Sequence, residues 1–211
     1  MRWTREDIES LDRKKRLNLI NSITGIKPAN LVGTKDGEFS NLAIISSVVH
    51  LSSNPALIGF IMRPSTVERN TLDNIKNNRE YTINHVASGF QKKAHYTSVK
   101  LPKEHSEFKE CGLTEEYINE FQAPFVRESK IKMGLSLEEI IPIRSSQTSM
   151  IVGRVEFLEV EKECLNELYY VDLEKSDTVG ISGLNSYYTL KKSASYPYVR
   201  LTEFPPENWD N

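Results

Sequence analysis

Two apolar segments separated by a polar turn occupy residues 41–62, which read NLAIISSVVHLSSNPALIGFIM. Their Val, Ile and Leu content predicts two β-strands, over 41–50 and 56–62, because branched side chains favour extended backbone. Asn54-Pro55 marks the connection between these strands. Consecutive strands joined by a short turn indicate an antiparallel sheet rather than alternating strands and helices.

The same reading extends to both sides of this pair. Lys35-Asp36-Gly37-Glu38 predicts a hairpin turn, because Asp-Gly readily adopts positive φ, and a strand over 29–34 precedes it. Further strands are predicted over 80–86, 131–143 and 149–161. Helices are predicted from the N-cap Thr4 to before Gly25 and over 71–78, 89–98 and 114–121. The fold class is therefore mainly β, an antiparallel barrel with peripheral helices.

Composition excludes several classes of function. The chain has 211 residues, a formal net charge of −2, 38% hydrophobic and 27% charged residues, as in a soluble globular domain. Without a basic block, nucleic acid is not an expected partner. Without a long apolar run or a secretory signal, no membrane association is expected, and the expected location is the cytoplasm.

Cysteine and histidine usage argues against a metal site. Cys111 and Cys164 lack metal-ligand spacing, and in a cytoplasmic protein both are expected to be unpaired thiols. The four histidines are scattered along the chain. No Gly-x-Gly-x-x-Gly motif follows a strand, which disfavours a Rossmann nicotinamide domain.

The segment RPSTVERNTLDNI at residues 63–75 follows the strand over 56–62. Arg63 and Arg69 flank short polar side chains, and a helix begins near Thr71. Helix N-termini present free N–H groups to anions, and Arg suits phosphate oxygens. A phosphate site is one interpretation, and an exposed, capped helix with solvated arginines is the other.

A longer ordered pattern favours the phosphate site. It contains Gly37 to Ala43, Ser46-Ser47, Asn54-Pro55, Arg63, Arg69-Asn70-Thr71, Asn74-Ile75, Tyr81 to Asn84, Glu107-Phe108, Cys111 to Leu113, Ala123-Pro124, Glu128-Ser129 and Ile151 to Val155. In order and spacing this pattern resembles the flavin reductase-like family. Two positions depart from it, because Asn54-Pro55-Ala56 replaces an acidic-Pro-Pro turn and Arg69-Asn70-Thr71 replaces Lys-Asp-Thr.

The resemblance implies an FMN-binding split β-barrel in a single domain over 1–211. Residues 1–25 would form a helical segment, 27–188 the barrel with inserted helices, and 189–211 a C-terminal tail. It also implies a homodimer, FMN as cofactor, and NADH or NADPH as a transient electron donor. A flavin-dependent oxygenase or another redox protein would then be the partner.

The resemblance also implies the cofactor-binding residues. These are Asn41, Ser46, Ser47, Arg63, Arg69, Thr71 and Asn84. Thr71 would donate its hydroxyl to the phosphate, and Asn41 its amide to the edge of the ring. The alternatives are structural: Asn41 as a turn residue, the serines as a polar strand edge with only one facing the ligand, and Asn84 as a loop support.

No residue is expected to act as a catalytic acid or base, because the flavin itself carries redox chemistry. His85 and Cys111 are interpreted as structural, and Tyr187 and Tyr188 as either stacking on the ring or plugging the barrel. The predicted activity is an NAD(P)H-dependent flavin reductase. The alternatives are a flavoredoxin-like electron carrier with permanently bound FMN and a non-catalytic flavin-binding protein. Arg69→Ala is predicted to weaken binding of FMN but not of riboflavin.

Overall fold

The structure, a computed structural model, describes residues 1–63 and 70–201. The strands in these ranges are β1 (Lys27–Pro28), β2 (Asn30–Asp36), β3 (Phe39–Ile45), β4 (Val49–Ser53), β5 (Ala56–Met62), β6 (Glu80–His85), β7 (Glu115–Glu116), β8 (Phe125–Val126), β9 (Ile131–Ile143), β10 (Thr148–Val160), β11 (Val179–Ser182) and β12 (Ser186–Thr189). The α-helices are α1 (Arg5–Ser10), α2 (Arg13–Ser22), α3 (Asn70–Asn78), α4 (Gln91–Tyr96) and α5 (Glu107–Cys111).

Seven strands form one antiparallel sheet in the order β3-β2-β6-β9-β10-β5-β4. Its long β9–β10 ladder changes register between Val152 and Gly153 and again before Phe157, and such bulges bend a sheet. The curved sheet closes where the Ser47 hydroxyl, just after β3, accepts the backbone N–H of Ile61 in β5 at 3.0 Å. The prediction of a mainly β barrel with peripheral helices is confirmed.

The sheet separates two hydrophobic clusters. Leu31 and Val32 are neighbours on β2 and therefore point to opposite faces. Val32 packs in the barrel interior, where the largest buried side chains include Phe60 and Tyr81. Leu31 packs on the outer face, under α4 and α5, with Phe108. The outer cluster thus holds the short helices against the sheet.

The strand predicted over 41–50 is two strands. β3 pairs with β2, whereas β4 pairs with β5 at the other end of the sheet. Residues 46–48 cross between these two edges, and Ser47 bonds the backbone of Ile61 there. Apolar content continues through the crossing, so a pattern of hydrophobicity alone could not locate it.

Two predicted helices also differ from the structure. The N-terminal helix ends at Ser10 and a second begins after Asp12, whose carboxylate accepts the N–H of Lys14 at 2.9 Å. In place of the helix predicted over 114–121, the structure has the two-residue strand β7, which pairs with β8, followed by a turn. The acidic side chains of β7 bond other elements, and these tertiary contacts override the helical preference of Glu.

Most of the remaining predictions of local structure are confirmed, although the helix predicted over 89–98 is a 3₁₀ turn at Ser88–Phe90 followed by the shorter α4. The strand over 56–62, the helix over 71–78 and the strands over 80–86 and 131–143 agree with β5, α3, β6 and β9 to within one residue at each end. Gly37, at φ +58, turns the β2–β3 hairpin, and Thr4 forms the capping box of α1. In the described part of the chain, no helix combines the length and apolarity that crossing a membrane requires.

Candidate functional site

A cleft of about 690 Å³ lies beside β3. Its walls come from β3 and the crossing after it, the end of β5, the start of α3 and residues 97–101. The end of α2 and the turn between β11 and β12 complete the rim. The volume falls within the range of about 300–1,000 Å³ usual for small-molecule sites.

Five of the seven predicted cofactor-binding residues line this one cleft. They are Asn41, Ser46, Ser47, Arg63 and Thr71. They come from three separate parts of the chain, residues 41–47, 63 and 71, which closure of the barrel brings together. The sequence pattern therefore identified a real spatial cluster.

The other two predicted residues do not contribute to the described cleft. Arg69 lies outside the described residues. Asn84 is fully buried and is not among the residues that line the cleft. Its amide donates to the Leu31 carbonyl (3.3 Å) and the Thr82 hydroxyl (2.9 Å) and accepts the N–H of Val126 (3.0 Å). The structure therefore gives Asn84 the role of a backbone support, which was the alternative interpretation.

The side chain of Asn41 is already largely engaged within the protein. Its Nδ2 donates to the Glu107 carboxylate at 2.8 Å, and the same carboxylate oxygen accepts the N–H of Leu42 at 3.0 Å. Its Oδ1 accepts the hydroxyls of Thr71 (2.6 Å) and Thr34 (3.4 Å). Only the second amide hydrogen of Asn41 is left for a ligand.

The hydroxyl of Thr71 is likewise engaged, because its proton goes to Asn41. The predicted hydroxyl donation from Thr71 to a phosphate is thus replaced by an internal hydrogen bond. What Thr71 still offers is its backbone N–H at the beginning of the described part of α3, where it has no hydrogen-bond partner among the described residues. A helix start offers an anion several such donors.

The two serines after β3 differ, as the alternation of a strand predicts. Ser47 exchanges hydrogen bonds with the backbone of Ile61 and thereby closes the barrel. No described residue forms a hydrogen bond with the Ser46 hydroxyl, and Ser46 lines the cleft. Ser46 is therefore the better candidate for a ligand contact.

The cleft has a positive bias. Arg63, Lys27 and Lys100 line it, and Glu107 is the one acidic residue among its described lining residues. The Arg63 guanidinium donates to the Asn21 side chain at 3.3 Å and forms no ion pair with a described acid. The Lys27 ammonium donates to the carbonyls of Asn21 (2.7 Å) and Gly183 (3.3 Å) and to the hydroxyl of Thr24 (3.4 Å), and it forms no ion pair with an acid in the described part of the chain. An anionic ligand is the natural complement to this cleft.

Sequence reasoning did not identify Glu107 as part of the site. Its side chain is buried beneath the cleft, and burial raises the pKa of its carboxyl group, although the N–H of Leu42 and the amide of Asn41 oppose that shift. Carboxylates are seldom buried, so a Glu in a charged segment is expected to be exposed. The sequence pattern that resembles the family includes Glu107, but it assigned no role to this residue.

His95 is a second cleft residue that the sequence did not single out. Its Nδ1 lies 3.1 Å from the hydroxyl of Tyr187, and the two rings meet edge to face at 5.7 Å. Tyr187 itself packs against the outer hydrophobic cluster and does not line the cleft, and burial raises its pKa to about 12. It therefore plugs the structure beside the cleft rather than stacking in it.

Cys111 and His85 are not among the residues that line the cleft. Both cysteines are free thiols. Burial, with the nearby charges of Glu107 and Glu110, raises the pKa of Cys111, so its thiol is not activated. His85 does not line the cleft, and burial lowers its pKa to about 4.

The family model of the flavin reductase like domain matches residues 26–178. The chain belongs to the flavin reductase-like family. This flavin reductase-like chain superposes with a TM-score of 0.91 on a protein from Shewanella frigidimarina NCIMB 400 assigned as a flavin reductase with a split barrel domain. The two are 42% identical, and the alignment covers 94% of this chain and 100% of that one.

More distant solved structures share the fold of this flavin reductase-like chain. Nitrilotriacetate monooxygenase component B from Bacillus cereus aligns with a TM-score of 0.81 and 21% identity, over 93% of this chain and 98% of that chain. Flavoredoxin of Desulfovibrio vulgaris (Miyazaki F) aligns with a TM-score of 0.72 and 22% identity, over 82% and 91% of the two chains. The predicted split β-barrel and the predicted family are both confirmed.

Proposed function

We propose that this chain is an FMN-dependent oxidoreductase that acts as an NAD(P)H-dependent flavin reductase. The observation that carries the proposal is the cleft itself, whose lining combines three cations and the described start of α3 with apolar side chains. When bound, FMN would accept a hydride from the nicotinamide and supply all the redox chemistry. The protein then has to bind, orient and shield the flavin.

The phosphate end of FMN fits the side of the cleft formed by β5 and α3. Arg63 is a permanent cation there, and the Ser46 hydroxyl and the first N–H groups of the described part of α3 have no hydrogen-bond partner among the described residues. Arg69 would be a further cation by its position in the sequence. Charge-assisted bonds of this kind contribute about 1.5–3 kcal/mol each.

The ring of FMN fits the apolar part of the same cleft. Ala43 and Ile45 come from β3, Met62 from β5 and Leu101 from the loop after α4. These side chains provide flat, non-polar walls, and the second amide hydrogen of Asn41 offers a donor to the polar edge of the ring. The volume of about 690 Å³ leaves room beside the ring for a second substrate.

The proposal includes a homodimer in the cytoplasm. Ile20, Val99 and Leu184 line the rim of the cleft and are 42%, 49% and 46% exposed. A second copy covering this apolar rim would shield the flavin from water. Light scattering of the purified protein tests this, and a monomer at micromolar concentration would contradict it.

The Bacillus cereus relative, named as a monooxygenase component, supports an oxygenase as the destination of the reduced flavin. The similarity to flavoredoxin supports the alternative, a carrier that keeps its FMN. Steady-state oxidation of NADH and NADPH with free FMN, combined with dialysis of the yellow protein, separates the two. Fast turnover with easily lost flavin selects the reductase, and retained flavin with slow turnover selects the carrier. A colourless protein that ignores FMN refutes both.

The phosphate end is tested by comparing FMN with riboflavin, which lacks the phosphate. Arg63→Ala is expected to raise the Kd for FMN about tenfold, since about 1.4 kcal/mol corresponds to a factor of ten. The Kd for riboflavin should change less than twofold. Arg144→Ala, which removes an exposed cation on the β9–β10 turn, is the matched control and should change neither. Equal losses for both ligands would remove Arg63 from the phosphate site.

A further inference from the structure

A connected set of buried polar side chains runs beneath the cleft from α5 to α3. It consists of Glu107, Asn41, Thr71, Thr34 and Asn74, all less than 9% exposed. Glu107 and Asn41 are joined at 2.8 Å, Asn41 and Thr71 at 2.6 Å, and Asn74 donates to Thr34 at 3.1 Å. We call this set the buried network. It holds α3 at two points, Thr71 and Asn74, which lie one turn apart on the same face.

The carboxylate of Glu107 sets the direction of the bonds that lead from it to α3. A carboxylate only accepts, so Asn41 must turn its Nδ2 towards Glu107 and its Oδ1 towards Thr71. The hydroxyl of Thr71 is thereby fixed as a donor to Asn41. Without the acceptor at Glu107, the amide of Asn41 would be free to turn over, and Thr71 would lose its acceptor.

The end of the network coincides with the proposed phosphate site. Asn70 and Thr71 form the start of α3 and line the cleft together with Arg63. Glu107 lies at the other end of the network, on the short helix α5. The buried network therefore links the packing of α5 to the position of the N–H groups of α3.

We propose that Glu107 is a positioning residue for the phosphate end of the cofactor: through Asn41 it holds Thr71, and with it the first turn of α3, where the backbone N–H groups can bind the anion. This inference rests on the proposed flavin site and adds a residue on which its affinity depends. Glu107 need not touch the ligand's phosphate. Its contribution is the orientation of a donor set two hydrogen bonds away.

The test compares Glu107→Met with Glu107→Gln. Methionine preserves the length of the side chain but accepts no strong hydrogen bond, whereas glutamine keeps one carbonyl acceptor for Asn41 and Leu42. The Kd for FMN should rise about tenfold in Glu107→Met and less than threefold in Glu107→Gln. The Kd for riboflavin should change less than twofold in either variant. Glu110→Met, on the exposed side of the same helix, is the control and should leave both constants unchanged.

The comparison of two ligands separates positioning from general damage. Both ligands bind the same folded protein, so a loss of stability in Glu107→Met affects the two constants alike. If the wild-type chain binds FMN but Glu107→Met weakens the binding of FMN and of riboflavin by the same factor, this inference is overturned and the proposed function is not. A wild-type chain that binds no flavin would overturn the proposed function and this inference with it.

A double substitution tests the path through Thr71. Thr71→Val removes the hydroxyl that bonds Asn41 while keeping a branched side chain of similar size. If Glu107 acts through this link, Glu107→Met should weaken FMN binding less than twofold further in the Thr71→Val background. If the increase in the Kd for FMN in the double variant equals the product of the increases in the two single variants, Glu107 acts by another path and the proposed mechanism is refuted.

Discussion

Tyr81 and Gly153 offer a quantitative test of how the barrel interior is packed. Tyr81 on β6 is fully buried, its ring meets Phe60 edge to face at 5.8 Å, and its hydroxyl has no hydrogen-bond partner among the described residues. Burial raises the pKa of Tyr81 far above its ordinary value. A Cβ placed on Gly153 would lie 2.8 Å from Cζ of Tyr81 and closer still to its hydroxyl oxygen. Gly153 therefore leaves the space that this hydroxyl occupies.

The magnitude follows from what each substitution removes or adds. A buried hydroxyl without a partner costs about 1–3 kcal/mol, and the van der Waals attraction between its oxygen atom and the surrounding side chains offsets part of that cost. Tyr81→Phe should therefore raise the free energy of unfolding by about 1 kcal/mol, or about 2–4 °C in Tm for a chain of this size. Gly153→Ala should lower it by about 3 kcal/mol, because neither the buried ring nor the sheet backbone can move freely.

The assay is equilibrium unfolding in urea of the wild type, both single variants and the double variant. In the double variant the hydroxyl is absent, so the cost of the added methyl group should fall to about 1–2 kcal/mol and the two effects should be non-additive. Tyr188→Phe, at an exposed tyrosine, is the control and should be neutral. Either of two results would refute the reasoning: a loss of more than about 1 kcal/mol in Tyr81→Phe, or simple addition of the two separate effects.

Two further predictions concern charged groups outside the cleft. The side chain of Lys132 is 6% exposed and forms ion pairs with Glu116 (2.6 Å) and Glu159 (2.8 Å). Lys132→Met should lower the free energy of unfolding by about 2 kcal/mol, because two carboxylates lose their shared cation. Lys130 is more exposed, so Lys130→Met should change the free energy of unfolding by less than about 0.5 kcal/mol. Urea unfolding measures the free energy change in both variants, and equal changes would contradict a stabilising role for the Lys132 ion pairs. Burial lowers the pKa of His85 from 6.5 to about 4 in the folded protein. Between these two pH values the unfolded chain binds a proton at His85 and the folded chain does not. The free energy of unfolding is therefore highest above pH 6.5 and declines as the pH falls to about 4. The free energy of unfolding is measured at pH 7 and at pH 4.5, and His85→Gln should make the difference between the two values smaller by about 2 kcal/mol. An unchanged difference would show that His85 is accessible to protons when folded.

Much of the local structure could be predicted from neighbouring residues. The hairpin turn at Gly37 and the capping box at Thr4 depend on interactions within a few positions of the chain, and the strand over 56–62 is indicated by its own residue types. The prediction of a helix over 114–121 was wrong because the bonds of β7 reach distant elements, such as Glu116 to Lys132. Local propensity describes one segment at a time and cannot register such partners.

The candidate site shows the same division. Residue types and their order pointed to Asn41, Ser46 and Arg63, which the barrel brings to one cleft. For Asn84 the pattern left two roles open, ligand contact and backbone support, since an amide can bond backbone or ligand equally well, and the structure shows the second.

By itself, the sequence determined most of the long strands, the hairpin turn at Gly37 and the family to which the chain belongs, because these follow from residue type and spacing. Only the tertiary structure decided which polar atoms remain free. It buried Glu107 beneath the cleft, directed the proton of Thr71 to Asn41 and left Arg63 and Lys27 without acidic partners among the described residues. A hydrogen-bonding group has limited capacity, and only the folded arrangement determines whether another part of the chain has already used it.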